Sequence, residues 1–231
     1  MTSPSTRTSA PRARVSLSAL AANILLARRR AGSDAVADLR RDAWGHGILT
    51  VGRALAESGV RAARADAVDA AIVEELGLVL SETEPTLPAA LVFGLPGGGG
   101  APVLSLVSRV LSTKPLLAGE GVSYGYLYRA PADTRVALVP GGYAQGVVRA
   151  LGSRAHVDIG GARRAIVGRV AMDVCVVDVG PQEDAAPGDE AVFFGSGAVR
   201  DEIAEWSRIT GLDAAELVAR VGLGVAREVA E

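Results

Sequence analysis

The densest run of chemically suggestive residues is Gly119-Glu120-Gly121-Val122-Ser123-Tyr124-Gly125, followed by Tyr126-Leu127-Tyr128. Three glycines in so short a segment let the backbone take φ > 0 or come close to another surface. The same composition also describes a tight turn that carries an aromatic ring. Amine chemistry is confined elsewhere. Of 24 basic residues one, Lys114, is a lysine, and the others are arginines, whose guanidinium stays protonated and is no usable nucleophile. Cys175 is the one cysteine, which excludes an internal disulfide and a thiolate metal cluster. Two histidines, His46 and His156, are too few for a His-based metal site.

Short strands and helices must position these residues. Arg14-Val15-Ser16-Leu17 alternates like a strand, and Ser18 is placed to cap a helix with Leu20, Ile24 and Leu25 on one face. Ala35 to Leu39 reads as a second strand. A helix is expected from His46 to Ser58, with Ile48, Val51 and Leu55 inward and Gly59 as its stop. A strand over Val60 to Ala65, a helix over Val68 to Leu76 and an apolar Leu78-Val79-Leu80 complete a β-α-β-α-β rhythm, which implies parallel strands. Pro96-Gly97-Gly98-Gly99-Gly100 reads as a flexible joint. Beyond it short strands dominate: Val103 to Val110, Val122 to Tyr128, Val136 to Val139, His156 to Ile159, Arg164 to Val170, Cys175 to Val179 and Glu190 to Phe194. Gly160-Gly161 suits a two-residue hairpin turn. Two helices close the chain, the second opened by Asp213-Ala214-Ala215-Glu216.

With 231 residues, 49% hydrophobic and 22% charged, the chain can bury a real core in one or two domains. A formal charge of −2 argues against nucleic acid or an anionic membrane as partner. No apolar run reaches the roughly 18 residues of a membrane span. Polar residues precede Ala19 to Ala27 and arginines close it, the wrong order for a signal peptide. A cytoplasmic protein is expected. Residues 196–231 carry four arginines against seven acids, a poor footprint for phosphate contacts.

Four segments, in order and spacing, resemble the alanine racemase family of pyridoxal-phosphate (PLP) enzymes. They are Asp42-Ala43-Trp44-Gly45-His46-Gly47, the GEGVSYG run, Val139-Pro140-Gly141-Gly142-Tyr143-Ala144-Gln145-Gly146 and Ile166-Val167-Gly168-Arg169-Val170-Ala171-Met172-Asp173. The likeness is strong from Val103 to Gly195 and eroded from Ala13 to Gly94. It implies a (β/α)8 barrel that holds PLP, a C-terminal β domain, and head-to-tail pairing in which one chain's tyrosine completes the other's site. Inverting a stereocentre by proton transfer needs removal on one face and return on the other, with PLP as the electron sink. By this resemblance Tyr124 matches the tyrosine base, Tyr143, Met172 and Asp173 the substrate pocket or its entrance, and Arg149 and Arg169 the access channel. A phenol with a pKa near about 10 needs a cationic neighbour to act near neutrality; the barrel residue that supplies it has no counterpart here. The plainer reading makes Met172 core filler and the arginines solvated strand residues.

The PLP half of the pattern departs. The family signature Lys-x-(Asp/Asn)-Ala-Tyr-Gly-His-Gly reads Arg40-Arg41-Asp42-Ala43-Trp44-Gly45-His46-Gly47 here. Arg40 stands at the Schiff-base lysine. Trp44 replaces a tyrosine whose hydroxyl holds the cofactor phosphate, and an indole N–H only donates. Gly94, in Leu91-Val92-Phe93-Gly94-Leu95-Pro96, resembles the segment after the barrel's last strand, and Leu223 falls where a pocket tyrosine can stand. Lys114 matches a β-domain position away from the cofactor. A complete barrel takes about 250 residues, with ~200 as a floor, whereas 118 residues precede Gly119.

The expected fold is therefore α/β plus β: a disordered tail over 1–12, a (β/α)8-barrel remnant over 13–100 with open sheet edges, and a racemase-like C-terminal β-barrel domain over 101–231. The leading functional expectation is a racemase relative, inactive alone and without cofactor. It would pair as a homodimer, or as a heterodimer with a full-length racemase. The alternatives are a working PLP-dependent alanine racemase and, least of all, nucleic-acid binding through the final helix pair.

Overall fold

The computed structural model describes residues 10–32, 34–182 and 185–231; most of the expected tail lies outside them. The strands are β1 (Arg12–Ser16), β2 (Val36–Asp38), β3 (Ala62–Arg64), β4 (Val79–Leu80), β5 (Leu104–Arg109), β6 (Ser112–Leu116) and β7 (Gly121–Val122), then β8 (Tyr128–Arg129), β9 (Thr134–Pro140), β10 (His156–Ile159), β11 (Ala162–Val167), β12 (Val174–Asp178), β13 (Glu190–Phe194) and β14 (Ala226–Ala230). The helices are α1 (Leu17–Ala31), α2 (Arg40–Trp44), α3 (Ile48–Glu57), α4 (Ala70–Glu75), α5 (Ala89–Val92), α6 (Glu202–Thr210) and α7 (Ala214–Gly224).

Two compact units result. One holds residues 13–106, 194–196 and 200–231; the other holds 107–193 and 197–199 with residues 10–12. The C-terminal helices thus fall with the N-terminal segment.

In the first unit, β2, β3 and β4 pair in parallel, with Val36 opposite Ala62 and Ala62 opposite Val79. The helices between them bury Val51, Leu55 and Val73, as their 3.6-residue spacing requires. The first strand departs from the expected rhythm: β1 stands between β14 and β5 in strand order. Ser16, not Ser18, caps α1, its hydroxyl accepting from Ala19 N. The edge of β2 is not open, because the amides of Thr86 and Leu87 donate to Val36 O and Val36 N donates to Thr86 Oγ1. Nor are the glycines a loose joint. A Cβ on Gly98 would stand 2.3 Å from Ala90 O, and one on Gly100 2.5 Å from Leu91 O. Asn23 of α1 fixes the same turn, donating to Val92 O and Ala101 O and accepting from Ala101 N. Glycine serves close packing here.

In the second unit the strand order is β13-β10-β11-β12-β9-β6, with antiparallel pairing between the neighbours. Gly160 and Gly161, at φ 66 and 78, turn β10 into β11 as read from sequence. Cys175 and Val177 point inward on β12 with Ala137 and Val139 beside them on β9. Residues 122–128 are not one strand. They form a small hairpin, β7 with β8, because Ser123, Gly125 and Tyr126 all have positive φ (63, 82 and 48), which no strand accommodates.

Candidate functional site

The signature residues at 40–47 belong to the first unit and begin with a rare backbone. Arg41, Asp42, Ala43 and Trp44 have φ of 54, 54, 52 and 56, so α2 is a left-handed turn. Such a conformation costs L-residues about 1–2 kcal/mol each and persists only when its surroundings over-determine it. Asp66 Oδ2 accepts from Arg41 N at 2.7 Å, and Asp42 Oδ1 accepts from Ile48 N at 2.7 Å, tying the turn to α3. Asp42 Oδ2 pairs with Arg227 at 2.5 Å, and Arg227 also donates to the carbonyls of Gly45 and Gly222. Gly45 lies directly against α7; a Cβ on Gly222 would come within 2.2 Å of Gly45 O.

Arg40 is held in a two-pronged pair, its Nε and Nη2 donating to Asp38 Oδ1 and Oδ2 at 2.9 and 2.6 Å. Burial pushes the Asp38 carboxyl up, but the hydrogen bonds and charge of Arg40, with a bond from the Trp44 indole, outweigh it and hold the group below its usual range. The Asp38 bond likewise raises Arg40. Phe93 stacks on Trp44 at 5.5 Å and on His46 at 4.4 Å. His46 Nδ1 lies 3.1 and 3.2 Å from the carbonyls of Ala43 and Trp44; both accept, so Nδ1 carries the proton. Its Nε2 has no partner among the described residues. Burial pushes His46 down to about 4, which leaves it neutral. At Gly94 a Cβ would stand 1.8 Å from Ala101 O, so close approach of the chain to itself explains this glycine.

This set does not fit a covalently held PLP. The attachment position carries a guanidinium whose charge is spent on Asp38, and the neighbouring indole of Trp44 offers a donor but no acceptor. The single lysine lies in the other unit, on β6.

The tyrosine-side residues all belong to the second unit, and the segment 168–173 organises them. Ser123 Oγ accepts from Arg169 N at 2.8 Å, and Gly125 lies beside the Arg169 guanidinium, where a Cβ would be 3.4 Å from it. The turn Tyr143–Gln145 docks on the same segment: Tyr143 N donates to Ala171 O and Ala144 N to Met172 O. Gln145 links Gly142 N to Asp173 Oδ1, and Arg149 lies over the Tyr143 ring at 5.8 Å. The structure therefore brings Tyr143, Arg149, Met172 and Asp173 together and ties the Tyr124 turn to Arg169. Tyr124 itself is 76% exposed and Met172 54% exposed, so Met172 is not core filler. Asp38, Asp66 and Arg227 were missed by sequence reading. Asp38 had a legible signal, since an acidic residue two positions before Arg40 is within reach of its guanidinium; Asp66 and Arg227 lie too far along the chain to have one.

Comparison with known proteins places the fold in a family. The domain family described as "Alanine racemase, C-terminal domain" matches residues 103–229, and the chain belongs to that family. An alanine racemase of Mycobacterium ulcerans (strain Agy99) is 49% identical over 115 residues, 49% of this chain and 30% of the relative. One of Salinispora arenicola (strain CNS-205) is 41% identical over 141 residues, 58% and 38% of the two chains. The chain thus spans roughly a third of the length of these relatives. Among solved structures, the alanine racemase from Streptomyces coelicolor A3(2) superposes with a TM-score of 0.75 at 22% identity, covering 97% of this chain and 99% of that one. An alanine racemase of Clostridium difficile 630 in complex with cycloserine gives 0.82 at 16%, covering 96% of each. At such identities the likeness is one of fold alone. Among the described residues, no helix is long and apolar enough to cross a membrane, and no group of acidic, histidine or cysteine side chains could hold a metal ion.

Proposed function

We propose that this chain does not racemise alanine by itself and acts as a dimerisation and binding partner that presents Tyr124 to the barrel of a complete alanine racemase. The observation that carries the reading is the Arg40–Asp38 pair, which fills the position of the attachment lysine with an ion pair instead of an amine. A guanidinium forms no Schiff base, and an exposed phenol without that partner chemistry has no carbanion to reprotonate. The parallel strands β2 to β4 are read as the surviving part of the family's barrel. Tyr124, Tyr126, Leu127 and Met172 are 76%, 65%, 67% and 54% exposed, apolar surface of the kind that partners cover.

The test is direct. Purified chain with excess PLP is expected to show no aldimine absorbance band and no conversion of L-alanine to D-alanine. Turnover, with a band that borohydride fixes and Lys114→Ala abolishes, would overturn the reading in favour of a working enzyme.

A further inference from the structure

We propose that the β-rich unit binds an amphiphilic monocarboxylate in a cavity whose single cation is Lys114. This inference concerns the chain by itself and does not rest on the partner role above, although the lip residue Tyr126 also belongs to the exposed surface assigned there to a partner. The cavity measures about 390 Å³ and is lined by β6, β9, β12 and the β7–β8 hairpin, within the roughly 300–1,000 Å³ of small-molecule sites. Register builds its floor. Ser112 faces Leu138 and Lys114 faces Val136 across β6 and β9, and Val176 faces Leu138 across β12 and β9, so all five side chains share one face of the sheet. Val136 and Val122 are buried, and Leu138 and Val176 are half-buried. Ser123 and Tyr126 of the hairpin form the opposite lip.

The chemistry of the lining is specific. None of its residues is acidic, so the ammonium of Lys114 meets no carboxylate there. Ser112 and Ser123 offer hydroxyls, and the Ser123 oxygen accepts from Arg169 N. One ammonium and hydroxyl donors over an aliphatic floor fit one negative headgroup with an apolar tail. The lip is held in unfavourable backbone. Ser123 and Tyr126 have φ of 63 and 48, and both line the cavity. Gly121 lets the Tyr126 ring lie on it, where a Cβ would stand 2.7 Å from Cδ1. A lysine on the terminal strand of a sheet also discourages strand pairing, but that purpose needs no strained tyrosine folded over a cavity. Strain of this kind gathers at ligand clamps.

The experiment is an NMR titration of the full chain with octanoate, set against octanol, octyltrimethylammonium and inorganic phosphate. Octanoate is expected to shift the amides of 112–114, 116, 121–126 and 136–138 saturably. Lys114→Met is expected to weaken it about tenfold or more, the loss of one charge-assisted contact, while Lys114→Arg keeps it. Lys114 is exposed, so both variants should fold, which circular dichroism checks. The proposal fails if octanoate does not bind or shifts other amides. It fails equally if Lys114→Met binds as tightly as the parent, or if octanol, octyltrimethylammonium or phosphate binds as tightly as octanoate.

Discussion

Asp38 and Arg40 form a two-pronged ion pair, and His46 packs against Phe93 with Nδ1 at the carbonyls of Ala43 and Trp44. Asp38 is buried and accepts from both Nε and Nη2 of Arg40. Asp38→Asn should therefore destabilise the fold by about 1–3 kcal/mol, read from urea unfolding, because an amide offers Arg40 one acceptor in place of two and carries no charge. His46 governs the response to acid. Its folded-state pKa lies below the ordinary 6.5, at about 4, because of burial, so the unfolded chain takes up a proton first. Stability should fall as pH drops from about 6.5 to about 4, by up to roughly 3 kcal/mol. Urea midpoints across that range measure it, and His46→Gln should flatten the slope. Asp38 has a depressed carboxyl, so its contribution is lost only below the ordinary carboxylate range.

Among the elements, α2 and the segment 168–173 matter most. The left-handed turn of α2 rests on Asp42, Asp66 and Arg227. The signature around it was visible in the sequence, but its handedness was not, since three of its supports come from α3, the β3–α4 connection and the C-terminus. The 168–173 segment leaves no room beside Gly142, where a Cβ would fall 2.2 Å from Met172 O. Gly142→Ala should cost about 1–3 kcal/mol by overpacking and disturb Tyr143, observable as a lower thermal midpoint with altered Tyr143 ring signals. The Gly160-Gly161 turn was legible because two-residue hairpins demand positive φ at both positions. The run at 97–100 was misread because flexibility and close approach call for the same residue.

At the scale of the whole molecule, the two groups of signature residues fall in different compact units. Residues 142–149 and 171–173 are joined by hydrogen bonds, and Arg149 lies over the Tyr143 ring, whereas Arg40 is engaged in an ion pair with Asp38. The partner role proposed above predicts a mixed dimer with a complete racemase. Tagged complete racemase should co-purify this chain, and Tyr124→Phe should leave co-purification intact while lowering turnover in the mixed species. A chain that stays alone at micromolar concentration in that experiment rules the assembly out.

Residue types by themselves determined the family likeness, the missing amine at position 40, the parallel β2–β4 rhythm and the glycine hairpin, because each depends on local spacing or on the chemistry of one side chain. Only the tertiary structure decided that Arg40 is bound to Asp38, that Trp44 and His46 share Phe93, and that the final helices join the N-terminal segment. It also decided that Lys114 overlooks a cavity. The Arg40–Asp38 pair is local but depends on the rotamers and the left-handed turn that follows. The other facts rest on contacts between residues far apart in the chain, and a linear pattern carries no record of which distant groups folding will bring together.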